Sequence, residues 1–142
     1  MSDLPEVTAV IPHRPPFLFV DKIIELTATK VVGVRTFHED EAFFKGHFPD
    51  HPVVPGVLLL EGLAQTMGYY ALYHRKSPRV FLIGIDHARF RSIVEPGKLI
   101  TYEVTIGEER LGTLSAKGRV RAGDQRVADA TLMGYAGDGK LI

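Results

Sequence analysis

The sequence predicts a single α+β domain in which one long buried helix is wrapped by a strongly bent antiparallel sheet of about five or six strands. Three observations carry this. From Val57 to Tyr73 there is no proline and no β-branched run, and Leu, Ala, Met and Tyr occupy every side of the helical wheel. Such a helix must be covered all round rather than along one stripe. Around it lie short runs rich in Val, Ile and aromatic residues, several separated by reversals that join neighbouring strands as antiparallel hairpins. Finally, 142 residues with 45% hydrophobic and 24% charged side chains are one domain's worth of ordinary globular chain, without repeat, low-complexity tract or linker. A bent sheet closing over one helix is the compact way to bury it.

Taken in order, residues 1–16 form an irregular lead ending in His13-Arg14-Pro15-Pro16, whose prolines stop any helix. Phe17 to Val20 is a short buried turn or strand start. Asp21 to Glu25 and Lys30 to Phe37 are β-rich and reverse at Thr27-Ala28-Thr29, a hairpin, and a polar loop from His38 to Asp40 follows. Pro49, Pro52 and Pro55 keep the next segment extended until the helix begins. The helix frays near His74-Arg75-Lys76-Ser77-Pro78, where cations suit the negative end of its dipole and Pro78 blocks continuation. Val80 to Ile85 is continuously apolar, as expected of a strand covered on both faces. After the Pro96-Gly97 turn come strands at Leu99 to Ile106, Leu111 to Val120 and Val127 to Tyr135, the last two joined around Ala122-Gly123-Asp124-Gln125.

Composition excludes several classes of function. Seventeen Lys and Arg balance seventeen Asp and Glu, so no overall field draws the chain to nucleic acid or an anionic membrane. Without cysteine there is no disulfide and no thiolate nucleophile, which fits a reducing compartment. Met1 to Glu6 lacks the basic and apolar regions of a signal peptide, and the most apolar stretch carries Glu61 and Gln65 near its middle, against a membrane span. The expectation is a soluble, cytoplasmic protein.

A lone carboxylate one turn into a buried helix is costly unless it has a partner or a task, which singles out Glu61. His47 stands upstream in the proline-stiffened loop, and Gly56-Val57 open the helix, where unpaired N–H groups suit a carbonyl oxygen gaining charge. His47 and His51 are four apart, as metal ligands on a helix would be, but Pro49 and Pro52 forbid a helix there and no metal is expected. The other histidines, His13, His38, His74 and His87, are assigned to the surface or to structure. No Gly-x-Ser-x-Gly elbow occurs, which argues against a serine hydrolase.

The string His47-Phe48-Pro49-x-x-Pro52-Val53-x-Pro55-Gly56-Val57-Leu58, with Glu61 fourteen positions after His47 and Ala64-Gln65 following, resembles the (3R)-hydroxyacyl-acyl carrier protein dehydratases of type II fatty acid synthesis. His13-Arg14-x-Pro16-Phe17-Leu18-x-Val20-Asp21 and Gly84-Ile85-Asp86-x-Ala88-Arg89-Phe90-Arg91 extend the resemblance over nearly the whole chain. It implies a hot-dog fold over residues 1–142, a homodimer with one continuous sheet, with a hexamer as a trimer of dimers left open, and an acyl carrier protein bearing a 3-hydroxyacyl thioester as partner. No cofactor is implied.

By the same resemblance His47 of one subunit faces Glu61 of the other, as base and acid, and the Val53 carbonyl orients His47. Gly56 and Val57 hold the oxyanion, with Val53, Gln65 and Phe81 as further substrate-binding candidates; Phe81 stands where relatives often carry a gating tyrosine. Arg75, Lys76, Arg79, Arg89 and Arg91 are candidates for meeting the acidic carrier protein. Asp40-Glu41-Ala42 and Pro96-Gly97-Lys98 depart from the usual family wording, but neither departure removes a chemical group from the site. Two alternatives share the fold: an acyl thioesterase and a non-catalytic acyl-binding protein.

Overall fold

A computed structural model of the chain describes residues 3–75 and 79–136. Six strands, β1 (Lys22–Leu26), β2 (Lys30–Thr36), β3 (Val80–Phe90), β4 (Leu99–Arg110), β5 (Thr113–Ala122) and β6 (Gln125–Ala136), form one sheet in the order β1-β2-β4-β5-β6-β3. Every neighbouring pair is antiparallel. The long helix, α2 (Gly56–Arg75), packs against β2 through β6, which is the hot-dog arrangement the resemblance implied.

Leu59, Leu63, Met67, Tyr69 and Leu72 of α2 are buried with Ile100, Tyr102, Val104, Leu114, Val120 and Leu132 of the sheet. Each such side chain contributes roughly 1.5–3 kcal/mol of burial. Gly62 sets how closely the helix approaches, because a β-carbon there would overlap the Tyr102 ring. The Tyr102 hydroxyl in turn donates to the Phe19 carbonyl at 2.9 Å, joining helix, sheet and lead at one point.

Four local expectations change. The lead is not wholly irregular: Val7–Val10 forms a one-turn helix, α1, and Arg14 ties it down by donating to the carbonyls of Thr8 and Ile11. The strand expected at Leu99 to Ile106 runs on to Arg110. Leu111 is not in a strand but turns with Gly112, both at positive φ (50° and 84°), and is 92% exposed. β3 runs to Phe90 and lies at the edge of the sheet, so Leu82, Ile83 and Ile85 are exposed rather than covered on both faces. The apolar run was legible; the missing neighbour on one side was not. The expected helix end at Lys76-Ser77-Pro78 lies outside the described residues.

Candidate active site

His47 follows a short 3₁₀ turn, Ala42–Lys45, and enters the proline segment. Its Nδ1 lies 2.9 Å from the Val53 carbonyl oxygen, and the Val53 amide donates back to the His47 carbonyl at 3.0 Å. With Nδ1–H donating to Val53, the lone pair is on Nε2. The ring stacks on Phe48 at 4.1 Å between centroids.

His47 opens into a cavity of about 390 Å³ that it shares with Val53, Gly56, Val57, Phe90 and Ile93. As the first two residues of α2, Gly56 and Val57 carry amides with no acceptor inside the helix. A β-carbon at Gly56 would meet the exposed Phe90 ring at 2.7 Å, so any larger residue at the helix start must displace that ring. Around this cavity Phe48, Val57, Phe90 and Ile93 are exposed, Val57 by 68%.

Glu61 faces a different cavity, of about 150 Å³, lined by Ile11, His13, Ala64, Gln65, Gly68, Phe81 and others. Among the described residues the two cavities have no lining residue in common. Glu61 is held by Gln65, which is 1% exposed and uses its whole amide on the protein. Its Oε1 accepts from the Phe19 amide at 2.8 Å, and its Nε2 donates to the Phe17 carbonyl and to Glu61 Oε2, both at 3.0 Å.

His13 is the residue that sequence reasoning missed. Assigned to surface or structure, it places Nε2 3.8 Å from Glu61 Oε2 and lines the same cavity. Burial holds its ring below the usual imidazole range, with the Glu61 charge opposing and the Arg14 charge assisting. The available signal was its place in the His13-Arg14-x-Pro16-Phe17 string. His51 pairs instead with Glu95 at 2.8 Å. Among the described residues no three His, Asp or Glu side chains cluster closely enough to hold a metal, and no helix is long and apolar enough to cross a membrane.

Of the cations singled out, Arg91 is engaged with Asp129 at 2.9 Å, which holds that carboxyl below its ordinary range. Arg89 is exposed. The Arg75 side chain and Lys76 lie outside the described residues. Glu41, in one of the departures from the family wording, bonds Arg35 at 2.6 Å and the His38 amide at 2.7 Å, a structural use.

Residues 11–131 match the FabA-like domain family. The chain is 42% identical over 131 residues to the 3-hydroxyacyl-[acyl-carrier-protein] dehydratase FabZ of Caldanaerobacter subterraneus subsp. tengcongensis, covering 90% of this chain and 93% of that one. It is 40% identical over 139 residues to the enzyme of the same name from Campylobacter lari, covering 93% and 95%. Among solved structures, the dehydratase heterocomplex ApeI:P of Xenorhabdus doucetiae superposes with a TM-score of 0.85 at 19% identity, over 96% of this chain and 93% of that chain, a likeness of fold.

Proposed function

The chain belongs to the FabA-like family, and from that membership we propose how its two cavities carry out the dehydration its relatives are named for. It is a 3-hydroxyacyl-acyl carrier protein dehydratase of fatty acid biosynthesis. The reaction removes a proton from C2 and hydroxide from C3 of a (3R)-hydroxyacyl thioester, leaving a trans-2-enoyl thioester and water.

His47 Nε2, free to accept because Nδ1–H is spent on Val53, takes the C2 proton. The electron pair moves toward the thioester carbonyl, whose oxygen gains charge against the amides of Gly56 and Val57 at the positive end of α2. Removing one donor of this kind typically costs about 3 kcal/mol in acyl chemistry. Glu61 then protonates the departing C3 hydroxyl, which leaves as water while the C2–C3 double bond forms. The proton on His47 returns through solvent, and Glu61 is reprotonated for the next turnover.

Since His47 and Glu61 line separate cavities within one chain, the working pair is His47 of one protomer and Glu61 of the partner subunit. The observation that carries this reading is β3. It is an apolar edge strand of 11 residues with Leu82, Ile83 and Ile85 exposed. Such an edge, whose far end at Phe90 lines the His47 cavity, is a template for a second copy.

Incubating the protein with a 3-hydroxyacyl thioester and following enoyl absorbance beside free-thiol release tests the reaction. Enoyl product without thiol is expected; thiol without enoyl would make it a thioesterase, and neither signal an acyl-binding protein. Light scattering on Ile83→Lys tests the assembly: the wild type is expected as a dimer or a multiple of it, the variant as a monomer with little turnover. A wild-type monomer with full activity would overturn the shared site.

A further inference from the structure

Two buried glycines on α2 have opposite surroundings. At Gly62 a β-carbon would overlap Tyr102, so packing explains the glycine. At Gly68 a β-carbon would meet none of the described residues within 4 Å, although the residue is buried. Glycine is the poorest helix former after proline, and packing gives no reason for it in the middle of a 20-residue helix. What its missing side chain leaves is internal room. Gly68 is part of the wall of the Glu61 cavity.

The helical repeat extends this. Glu61, Ala64, Gln65, Gly68 and Leu72 all line that cavity, at spacings that put them on one face of α2. At 1.5 Å per residue, Gly68 is roughly 10 Å along the axis from Glu61, and Leu72 roughly 16 Å. From the acid outward the small residues Ala64 and Gly68 alternate with the larger Gln65 and Met67 before Leu72, buried at 6% exposure. Opposite are Val80, Phe81 and Leu82. The cavity holds about 150 Å³ against roughly 30 Å³ for one water in the liquid, space for a short run of methylenes. Among the described residues of its lining, only His13, Glu61 and Gln65 offer a polar side chain to hold water.

Building on the dehydratase reading, we propose that Gly68 sets the length of acyl chain the enzyme accepts. The tail beyond C3 passes Ala64 and Gly68 and stops against Leu72. A side chain at position 68 shortens the passage at its middle, and a smaller residue at 72 lengthens it.

The test is a graded series, Gly68→Ala, Gly68→Val and Gly68→Leu, assayed with 3-hydroxybutanoyl, 3-hydroxyhexanoyl and 3-hydroxydecanoyl thioesters. The quantity read is the ratio of kcat/KM for decanoyl to that for butanoyl. It is expected to fall in steps with side-chain size, by about 10-fold or more in Gly68→Leu, the discrimination one or more displaced methylenes produce in an apolar pocket. Leu72→Ala is expected to raise kcat/KM for a longer substrate, 3-hydroxyhexadecanoyl thioester, whose tail reaches that far. Thermal midpoints report folding; should Gly68→Leu fail to fold, Gly68→Ala, which favours the helix, carries the test. An unchanged ratio across the folded variants overturns the proposal. A wild type that dehydrates none of the three substrates rejects the dehydratase reading instead.

Discussion

The two cavities hold His47 and Glu61 by opposite means. His47 is fixed locally, by three prolines within eight positions downstream and a backbone acceptor at Val53. Glu61 is fixed remotely, by Gln65, whose amide is also bonded to Phe17 and Phe19, more than forty residues away. His47 thus depends on stiffness written into its own segment, whereas Glu61 depends on the lead segment docking correctly. One device tolerates distant disturbance and the other reports it.

The strongest way to break the contrast is to remove each group. His47→Ala and Glu61→Gln are each expected to lower kcat by about 10²- to 10⁴-fold, the usual span for an acid or base, with the thermal midpoint little changed. Mixing the two inactive variants after dissociation is expected to restore measurable turnover, because mixed dimers rebuild one intact pair. No recovery would place both groups in one chain's site.

Next is the clamp. Gln65→Leu strands the buried Phe19 amide and the Phe17 carbonyl, and a loss of about 1–3 kcal/mol is expected by denaturant titration, with a fall in kcat from the unheld Glu61. If kcat is unaffected, Gln65 serves the fold alone. On the other side, Pro52→Gly loosens the His47 segment chiefly by enlarging the unfolded ensemble, and about 0.4–1 kcal/mol is expected to be lost. A larger loss would show that this loop, too, leans on tertiary packing.

The smallest effect concerns His13. Its folded-state affinity for a proton is depressed by burial, so it contributes stability above its unfolded value of 6.5 that is lost as pH falls from there through its lower folded value. His13→Gln is expected to flatten the dependence of thermal midpoint on pH on the acid side of about 6.5. An unaltered slope would mean the buried ring does not sense protonation.

Much of this was legible in residue order because it is local. Proline, helix propensity and apolar runs act within a few residues, and they marked α2, the strand cores, the Gly123 reversal and the stiff segment around His47. The misplacements were tertiary. Val80 to Ile85 reads the same whether a strand is central or at an edge, and only its partners decide; Leu111 was drawn into a strand by its side chain, while the two-residue turn needed its backbone. His13 looked like any polar residue near a terminus until the fold brought it beside Glu61.

By itself, the sequence determined one α+β domain, a helix that must be covered on all sides, and an imidazole and a carboxyl worth questioning. Only the tertiary structure decided that these two open into separate cavities, that Gln65 holds the Glu61 carboxylate, and that a β-carbon at Gly68 would meet none of the described residues where one at Gly62 would overlap Tyr102. The reason is physical: periodicity and backbone constraint are properties of neighbouring residues, whereas a cavity is defined by atoms that arrive from far along the chain.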